Sequence, residues 1–369
     1  MAILKVKFDN ILCFNNFEAD FTYPKRLVKS TLDNEYLINY PNIRYKKVNI
    51  ILGSNGTGKT CLGKAIWRTL LFLNNLESNP LKEIVGDKSK DAYILIDAAF
   101  SDGRFFRVEL KILKGGNLLA RHYEHTLRKD DTYVNIIKSF DPLEEFKNYL
   151  EVLNKTIPTG FNINFPSNEK GFDIIDCKYP KEYKEEFCEL YEKLIKIFDK
   201  SIEKVFVSKE LEDTYVVKFY NSHTVAVTHG NKLSELSRLS SGTKNVINIA
   251  GLIFSIKKHF NGLYYADEQF SYVNSDIEKA CLTLMSSLLG DGEQLFFTSH
   301  NEEILDTSLP LHSYNFLKKI KGKKNEFSIH IINGGDYEKR NNVNIKNLYD
   351  NDYFDIAPET YSVHALGDN

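Results

Sequence analysis

The stretch Gly53-Ser54-Asn55-Gly56-Thr57-Gly58-Lys59-Thr60 has the form G-x-x-x-x-G-K-[ST] at every fixed position. Residues 48–52, just before it, form a short apolar run typical of a buried strand, and residues 61–72 have the apolar spacing of a helix. In this order, the glycines and the helix N-terminus let backbone N–H groups surround a phosphate. The chain is predicted to bind ATP or GTP; the alternative is a glycine-rich turn that binds nothing.

Each part of the loop has a predicted task. Lys59 reaches the outer phosphates, and Thr60 offers its hydroxyl to Mg²⁺. The predicted nucleotide contacts are Gly53, Asn55, Gly56, Thr57, Gly58, Lys59 and Thr60.

Composition narrows the class of protein. The 369 residues can bury a large core, as one large domain or two of ordinary size. The chain has 48 basic and 50 acidic side chains, so we do not expect its whole surface to bind nucleic acid. A local basic patch is compatible with this balance. The five scattered cysteines form no C-x-x-C pair, so we expect a reducing compartment. The sequence has no long apolar run, so we expect a soluble cytoplasmic protein with no membrane partner.

Strand patterns flank the loop on both sides. Residues 5–8 and 17–21 alternate as two antiparallel strands, and residues 23–47 look like an irregular polar loop. Residues 93–100 and 105–112 predict a hairpin turning at Asp102-Gly103, with a third strand after Gly115-Gly116. We therefore predict an N-terminal ATPase lobe over residues 1–130 that includes an antiparallel β subdomain.

The remaining chain divides into three further predicted parts. Residues 131–210 form a helical lobe whose best helix spans residues 181–205. Strands return at 215–219 and 224–227 and open a C-terminal ATPase lobe over residues 211–335, followed by a tail over 336–369. The predicted class is α/β, with a mixed central sheet, the β subdomain and the helical lobe.

Three further patterns lie in the C-terminal lobe. Leu239-Ser240-Ser241-Gly242-Thr243 opens an apolar-faced helix and can bind an anion there, or can simply be a helix cap. Asp267-Glu268 ends a largely apolar strand, where the first acid can hold Mg²⁺ and the second can polarise water; the alternative is a solvated acidic turn. His300 ends another strand and can reach a γ-phosphate or can be structural.

In this order, the patterns resemble the ABC class of ATPases, in the branch of the SMC, RecF and OLD proteins. Residues 239–243 are similar to the signature motif of the class, Asp267-Glu268 to its metal acid and catalytic glutamate, and Asn274-Ser275-Asp276 to its D-loop. Thr298-Ser299-His300-Asn301 is similar to the switch histidine region. The resemblance covers about residues 1–110 and 210–320 and implies an ABC-type P-loop NTPase fold with ATP as the nucleotide.

The resemblance implies a dimer. Two ATP molecules would be sandwiched between two chains, with Ser240, Ser241 and Gly242 acting on the nucleotide of the other chain. Glu268 would orient water, His300 would sense the γ-phosphate, and hydrolysis would release the dimer. ATP would then serve as a clamp whose closed state is read by another protein.

Two features depart from the class. The Q-loop glutamine is missing between the phosphate loop and the signature, since Gln269 and Gln294 are the chain's only glutamines. Ser241 stands where many members have glycine, a variant that resembles OLD-like defence ATPases more than transporters.

Three functions are compatible with these patterns. A transporter subunit is disfavoured by the β insertion, and a long-armed SMC clamp by the prolines in the about 180 residues between Lys59 and Ser240, which show no sustained heptads. The favoured function is an anti-phage or abortive-infection ATPase that pairs with a separate effector such as a nuclease. The alternatives are a RecF-like repair ATPase that binds DNA directly and an assembly protein that never hydrolyses ATP.

The C-terminal region adds two hypotheses. A hairpin over residues 313–332 carries lysines in its turn, either as a solvated turn or as a contact to a nucleic acid backbone; they are Lys318, Lys319, Lys321, Lys323 and Lys324. The tail from residue 347, with its acidic and aromatic residues, is a candidate surface for a protein partner.

Overall fold

The structure is a computed structural model of the chain. It describes residues 1–23, 30–165, 181–211, 214–228, 240–322, 327–337 and 343–356. Within these ranges, no helix is both long and apolar enough to cross a lipid bilayer.

The chain contains both strands and helices. The strands are β1 (Ala2–Asp9), β2 (Phe17–Asp20), β3 (Tyr36–Leu37), β4 (Tyr40–Arg44), β5 (Val48–Leu52), β6 (Ala92–Ala99), β7 (Arg104–Ile112), β8 (Leu118–Thr126), β9 (Lys147–Asn148), β10 (Phe161–Asn164), β11 (Ile202–Val207), β12 (Thr214–Phe219), β13 (Thr224–Thr228), β14 (Leu263–Asp267), β15 (Gln294–Thr298), β16 (Tyr314–Lys321) and β17 (Phe327–Asn333). The helices are α1 (Lys59–Asn75), α2 (Asn79–Lys82), α3 (Tyr133–Ser139), α4 (Tyr149–Val152), α5 (Lys184–Phe198), α6 (Ser241–Lys257), α7 (Ser275–Leu288), α8 (Gly334–Tyr337) and α9 (Ile345–Asp350).

A mixed sheet forms the centre of the molecule. Its strand order is β10-β14-β15-β5-β16-β17. The first five strands are parallel and β17 pairs antiparallel with β16. β5, β14 and β15 are buried along their whole length, as expected for strands covered on both faces. Because they are parallel neighbours, their carboxyl ends meet at one edge of the sheet.

Two layers cover the central sheet. Phe296 faces a core shared with Leu62 of α1 and Val6 of β1, which places α1 and an antiparallel sheet on that face. The next residue, Phe297, faces the opposite core, which includes Ile253 of α6 and side chains of α5 and α7. Successive residues of a strand point to opposite faces, so β15 contributes side chains to the cores on both faces of the sheet.

The antiparallel sheet has the order β2-β1-β6-β7-β8-β9. The predicted hairpin turns at Gly103, whose φ of 92° lies in the left-handed region. A second, smaller antiparallel sheet has the order β11-β12-β13. The α/β class, the mixed central sheet and the antiparallel β subdomain are confirmed.

Two local predictions were wrong. Residues 23–47 contain the β3–β4 hairpin, because Leu37, Ile43 and Tyr45 are buried in a third core; residues 24–29 lie outside the described ranges. The helix predicted to end at residue 205 ends at Phe198, and the β-branched residues that follow form β11. The range 131–210 contains β9, β10 and β11 beside its helices, and its domain boundaries remain a prediction.

Three of the five C-terminal lysines lie in a strand and not in the predicted turn. Lys318, Lys319 and Lys321 lie within β16, and Lys323 and Lys324 lie outside the described ranges. Lys318 pairs with Asp355, and the Lys319 ammonium lies 4.8 Å from the centre of the Phe327 ring. The start of the predicted tail packs on its own chain, since Phe354 stacks on Phe316 with ring centres 4.5 Å apart. Residues 357–369 of the tail are not described.

Candidate functional site

The phosphate loop joins β5 to α1 as predicted. Gly53, Gly56 and Gly58 all have positive φ angles, of 155°, 78° and 98°. At Gly53, a Cβ would lie 2.7 Å from Thr57 Oγ1 and 2.8 Å from the carbonyl oxygen of Leu317, so a side chain is excluded by space as well as by conformation. α1 begins after Gly58 with no side-chain cap, which leaves its first N–H groups to an anion.

Lys59 lies under the loop, with 4% of its side chain exposed. Its Nζ donates to the carbonyl oxygen of Gly53 at 2.7 Å and lies 3.3 Å from Nδ1 of His300. Glu268 Oε1 is 3.8 Å away. Burial lowers the pKa of Lys59, while the carboxylates of Glu268 and Asp267 oppose that change. The lysine thus touches residues at the ends of all three buried strands.

Asp267 is held by two threonines. Thr60 Oγ1 donates to Oδ2 of Asp267 at 2.7 Å, and Thr298 Oγ1 donates to Oδ1 at 2.8 Å. Asp267 is fully buried, which raises its pKa, whereas both hydrogen bonds act in the opposite direction. A hydroxyl beside a carboxylate is a hard oxygen donor set, which suits Mg²⁺. The predicted metal residues Thr60 and Asp267 therefore fit such an ion.

The backbone turns sharply at Glu268, directly after Asp267. Its φ is 50°, and its N–H donates to Thr298 Oγ1 at 3.0 Å. Its carboxylate Oε1 lies 2.7 Å from Nε2 of His300. Both side chains are partly exposed, Glu268 at 25% and His300 at 37%. The predicted catalytic pair is therefore in direct contact and open to a reacting water.

Sequence reasoning missed the residues that position this cluster. Glu278 of α7 is buried and accepts hydrogen bonds from Ser299 Oγ and Asn301 Nδ2, both at 2.7 Å, on either side of His300. Burial raises the pKa of Glu278. One sequence feature could have identified Glu278: it is a carboxylate one helical turn before the apolar residues Cys281 and Leu282, on the same face of the helix.

Thr298 and Tyr265 were also missed as supports. Thr298 joins Asp267 to the backbone of Glu268, as described above. The Tyr265 hydroxyl donates to the carbonyl oxygen of Lys59 at 2.8 Å, which fixes the first turn of α1 on β14. In the sequence, Tyr265 is part of an apolar strand, and Thr298 belongs to the segment similar to the switch histidine region but had no role of its own.

The predicted signature residues form a self-contained turn, residues 240–243. Ser240 is the exposed N-cap of α6; its Oγ accepts from the N–H of Thr243 at 3.1 Å and lies 2.7 Å from Thr243 Oγ1. Ser241 is the first residue of α6, and Leu239 lies outside the described ranges. A Cβ on Gly242 would lie 2.7 Å from the carbonyl oxygen of Tyr272. The turn thus contacts the segment before the predicted D-loop, where Asn274 caps α7.

The glutamines are committed elsewhere. Gln294 bonds the backbone of Ile3 in both directions and donates to the carbonyl oxygen of Lys46. Gln269 is buried and donates to the backbone oxygen of Asp267 at 3.0 Å, while its own backbone carbonyl oxygen accepts from Asn245 of α6. Both side chains thus bond backbone groups of the protein, and Gln269 ties α6 to the acidic pair.

No protein-family model matches the chain, and no curated protein matches it. Solved structures are similar to it at low sequence identity. The SMC head bound to the C-winged helix domain of ScpA is 12% identical, with a TM-score of 0.49 over 90% of this chain and 98% of that one. The SMC head domain from Thermotoga maritima is 11% identical, with a TM-score of 0.42 over 90% and 99%. The recombination mediator RecF with bound nucleotide is 12% identical, with a TM-score of 0.42 over 81% and 92%.

Proposed function

We propose that the chain is an ATPase whose nucleotide gates its dimerisation. One observation carries this proposal: the phosphate-loop lysine and threonine are in direct contact with the carboxylates and the histidine at the ends of β14 and β15. Phosphoryl transfer requires this combination of an anion cradle, a metal acid and a group that orients water.

Each residue has a defined task in hydrolysis. Thr60 and Asp267 would hold Mg²⁺, which neutralises charge on the phosphates when it is bound. The first N–H groups of α1 and the Lys59 ammonium bind the phosphates. Glu268 accepts a proton from water or orients it, and His300 fixes the carboxylate of Glu268 through Oε1. Thr298 and Glu278 keep these groups in place before the nucleotide arrives.

The same proposal places Ser240, Ser241 and Gly242 on the nucleotide of a second copy. Ser240 is exposed and presents the start of the 17-residue helix α6, where N–H groups and a hydroxyl lie together. Tyr272, which contacts Gly242, is 78% exposed. Exposed residues of this kind become buried when a second chain covers them.

We further propose that the ATP-bound dimer acts as a scaffold in anti-phage defence, together with a separate effector such as a nuclease. Its support is the Ser241 variant of the signature and the absence of sustained heptads from the sequence between Lys59 and Ser240. Direct DNA binding of the RecF-like kind is less well supported, because Lys318 and Lys319 are engaged within the chain. Binding of duplex DNA at ~150 mM salt would reverse that preference.

The first experiment is the molar mass of the wild-type and Glu268→Gln proteins by light scattering, with and without Mg-ATP. We expect Glu268→Gln to double its mass only with Mg-ATP, because hydrolysis no longer releases the dimer. Adding Ser240→Arg to that variant should restore the monomer mass. A mass that does not respond to nucleotide would contradict the gated dimer, and a dimer that tolerates Ser240→Arg would remove the signature turn from the interface. An assembly protein that never hydrolyses ATP would behave alike with Glu268 and with its glutamine replacement.

A further inference from the structure

Two cysteine thiols meet beside the phosphate loop. Cys13 lies in the connection between β1 and β2, and Cys61 lies in the first turn of α1, directly after Thr60. The two thiol groups lie within interaction distance of each other. The loop glycine Gly58 lies against Cys13, since a Cβ on it would lie 3.1 Å from Cys13 Sγ. Residues far apart in sequence thus bring two thiols together against the phosphate loop.

This pair differs from the other described cysteines. Cys13 and Cys61 are partly exposed, whereas Cys188 and Cys281 are buried. Their burial keeps Cys188 and Cys281 out of reach of a peroxide in solution. Access and a neighbouring thiol are the two requirements for forming a disulfide from reduced cysteines.

We propose that Cys13 and Cys61 form an oxidation site for peroxides, which converts the two thiols into a disulfide across the phosphate loop. One cysteine sulfur attacks a peroxide oxygen, the O–O bond breaks, and one water is released as a sulfenic acid forms. The second sulfur then displaces the hydroxyl of the sulfenic acid as water, and the S–S bond forms. The two thiols lose two electrons and two protons, and hydrogen peroxide is reduced to two molecules of water.

The disulfide would change the geometry of the phosphate loop. Two bonded sulfur atoms lie about 2.05 Å apart, which is much closer than two thiols in non-bonded contact. The connection carrying Cys13 and the first turn of α1 must therefore approach each other, with Gly58 and Thr60 on the N-terminal side of Cys61. A displacement of about 1 Å in a preorganised site can cost up to ~100-fold in function. Resting on the proposed function, we expect the oxidised protein to bind nucleotide at least tenfold more weakly.

The site itself is tested without nucleotide. The purified protein is treated with hydrogen peroxide, its remaining thiols are blocked, and peptides are identified by mass spectrometry before and after reduction. We expect a linked peptide pair of Cys13 and Cys61 that persists in Cys177→Ser, is absent from Cys13→Ser and disappears on reduction. The proposal would be overturned by Cys13 and Cys61 remaining unlinked, by preferential linkage of Cys188 or Cys281, or by separate oxidation of both thiols to sulfinic acids.

The consequence is tested by titration with a fluorescent ATP analogue. Oxidised wild type should bind at least tenfold more weakly than reduced wild type, while Cys13→Ser should bind equally well before and after peroxide. Equal binding by oxidised and reduced wild type would overturn the link between the disulfide and the loop. A reduced wild type that binds no nucleotide would instead contradict the proposed function, and the peptide experiment would still decide the oxidation site.

Discussion

The phosphate-loop cluster and the signature turn both resemble parts of an ATPase. Only the cluster is assembled by contacts between different strands and helices of one chain. In the cluster, hydrogen bonds and ion pairs join every member to a neighbour from another strand or helix; the members are Lys59, Thr60, Asp267, Glu268, Thr298 and His300. In the turn, Ser240 instead bonds Thr243 of the same turn.

The difference shows which chemistry one chain can preorganise. Asp267 is fully buried with both carboxylate oxygens occupied, so its orientation is set before any ligand arrives. Dipoles and donors fixed in advance are the main source of electrostatic catalysis. Ser240 is exposed, and its hydroxyl only caps its own helix. We therefore expect substitutions in the cluster to act within a chain and substitutions in the turn to act on the other chain.

Loss of Lys59 should have the largest effect. Lys59→Ala removes the only cation among the cluster residues whose contacts are described above, so we expect hydrolysis of Mg-ATP to fall by at least ~100-fold. The measurement is phosphate release at a protein concentration high enough to saturate dimer formation. Circular dichroism confirms folding.

Lys64→Ala is the matched control. Lys64 lies in the next turn of α1, with its ammonium 6.0 Å from the centre of the Phe165 ring, and we expect activity within about twofold of wild type. Equal losses in both variants would mean that general charge on α1, rather than the contacts of Lys59, supports the reaction.

Mixing two inactive variants tests the comparison directly. Ser240→Arg damages the turn and Lys59→Ala damages the cluster, and each alone should be nearly inactive. In a mixed dimer, one of the two sites combines an intact loop with an intact turn from the other chain. Random pairing would give about a quarter of wild-type activity, and because Ser240→Arg also weakens dimer formation, we expect an equal mixture to recover activity up to about that value.

The readout is phosphate release from the mixture relative to each variant alone. Recovery requires that the turn act across the interface. A mixture no more active than its components would place the turn and the loop in the same functional unit, and the contrast between the two regions would disappear.

The parts of the fold that sequence predicted were those with local signals. The loop glycines, the buried β5 and β14, and the Asp102-Gly103 hairpin are each encoded by residues close together in the chain, and all three were confirmed. In the structure, Lys59, Asp267 and His300 come together because the parallel strands β5, β14 and β15 end at the same edge of the sheet.

Contacts between distant segments could not be predicted in this way. The hydrogen bond from Asn301 to Glu278 depends on how α7 packs against the end of β15. Residues 202–207 continue an apolar pattern from α5, but the antiparallel pairing with β12 makes them a strand. Tertiary pairing overrides helical periodicity in such short segments.

Thr298→Val tests one contact inside the cluster. The change keeps the side-chain shape but removes the hydroxyl between Asp267 and the Glu268 backbone. Leaving a buried carboxylate oxygen and an N–H without this partner should cost about 1–3 kcal/mol of unfolding free energy. Hydrolysis should fall by ~10–100-fold, as for other residues that orient a metal ligand.

Urea unfolding and phosphate release give the two readouts. Thr298→Ser retains the hydroxyl and should recover most of the activity. If valine and serine had the same activity, the hydroxyl would have no part in positioning the acidic pair.

Glu278→Gln should have the smallest effect, and its stability should depend on pH. Glutamine keeps the shape of Glu278 but cannot offer two acceptors to Ser299 and Asn301, so we expect about a threefold loss of hydrolysis, the equivalent of one neutral hydrogen bond. Burial raises the pKa of Glu278 from its ordinary value of 4.5 in the folded chain. Its contribution to stability is therefore fully present below that value and is lost as pH rises through the folded pKa.

The measurement is the urea midpoint of both proteins at about pH 4 and about pH 7.5, since the linkage argument concerns only the ionisable side chain. Because the glutamine of the variant cannot ionise, the wild type should lose stability relative to the variant as the pH rises. A constant difference would show that the Glu278 pKa is the same in both states. A variant with lower activity but no pH-dependent difference would confine Glu278 to orienting the His300 segment, with the same pKa in the folded and the unfolded chain.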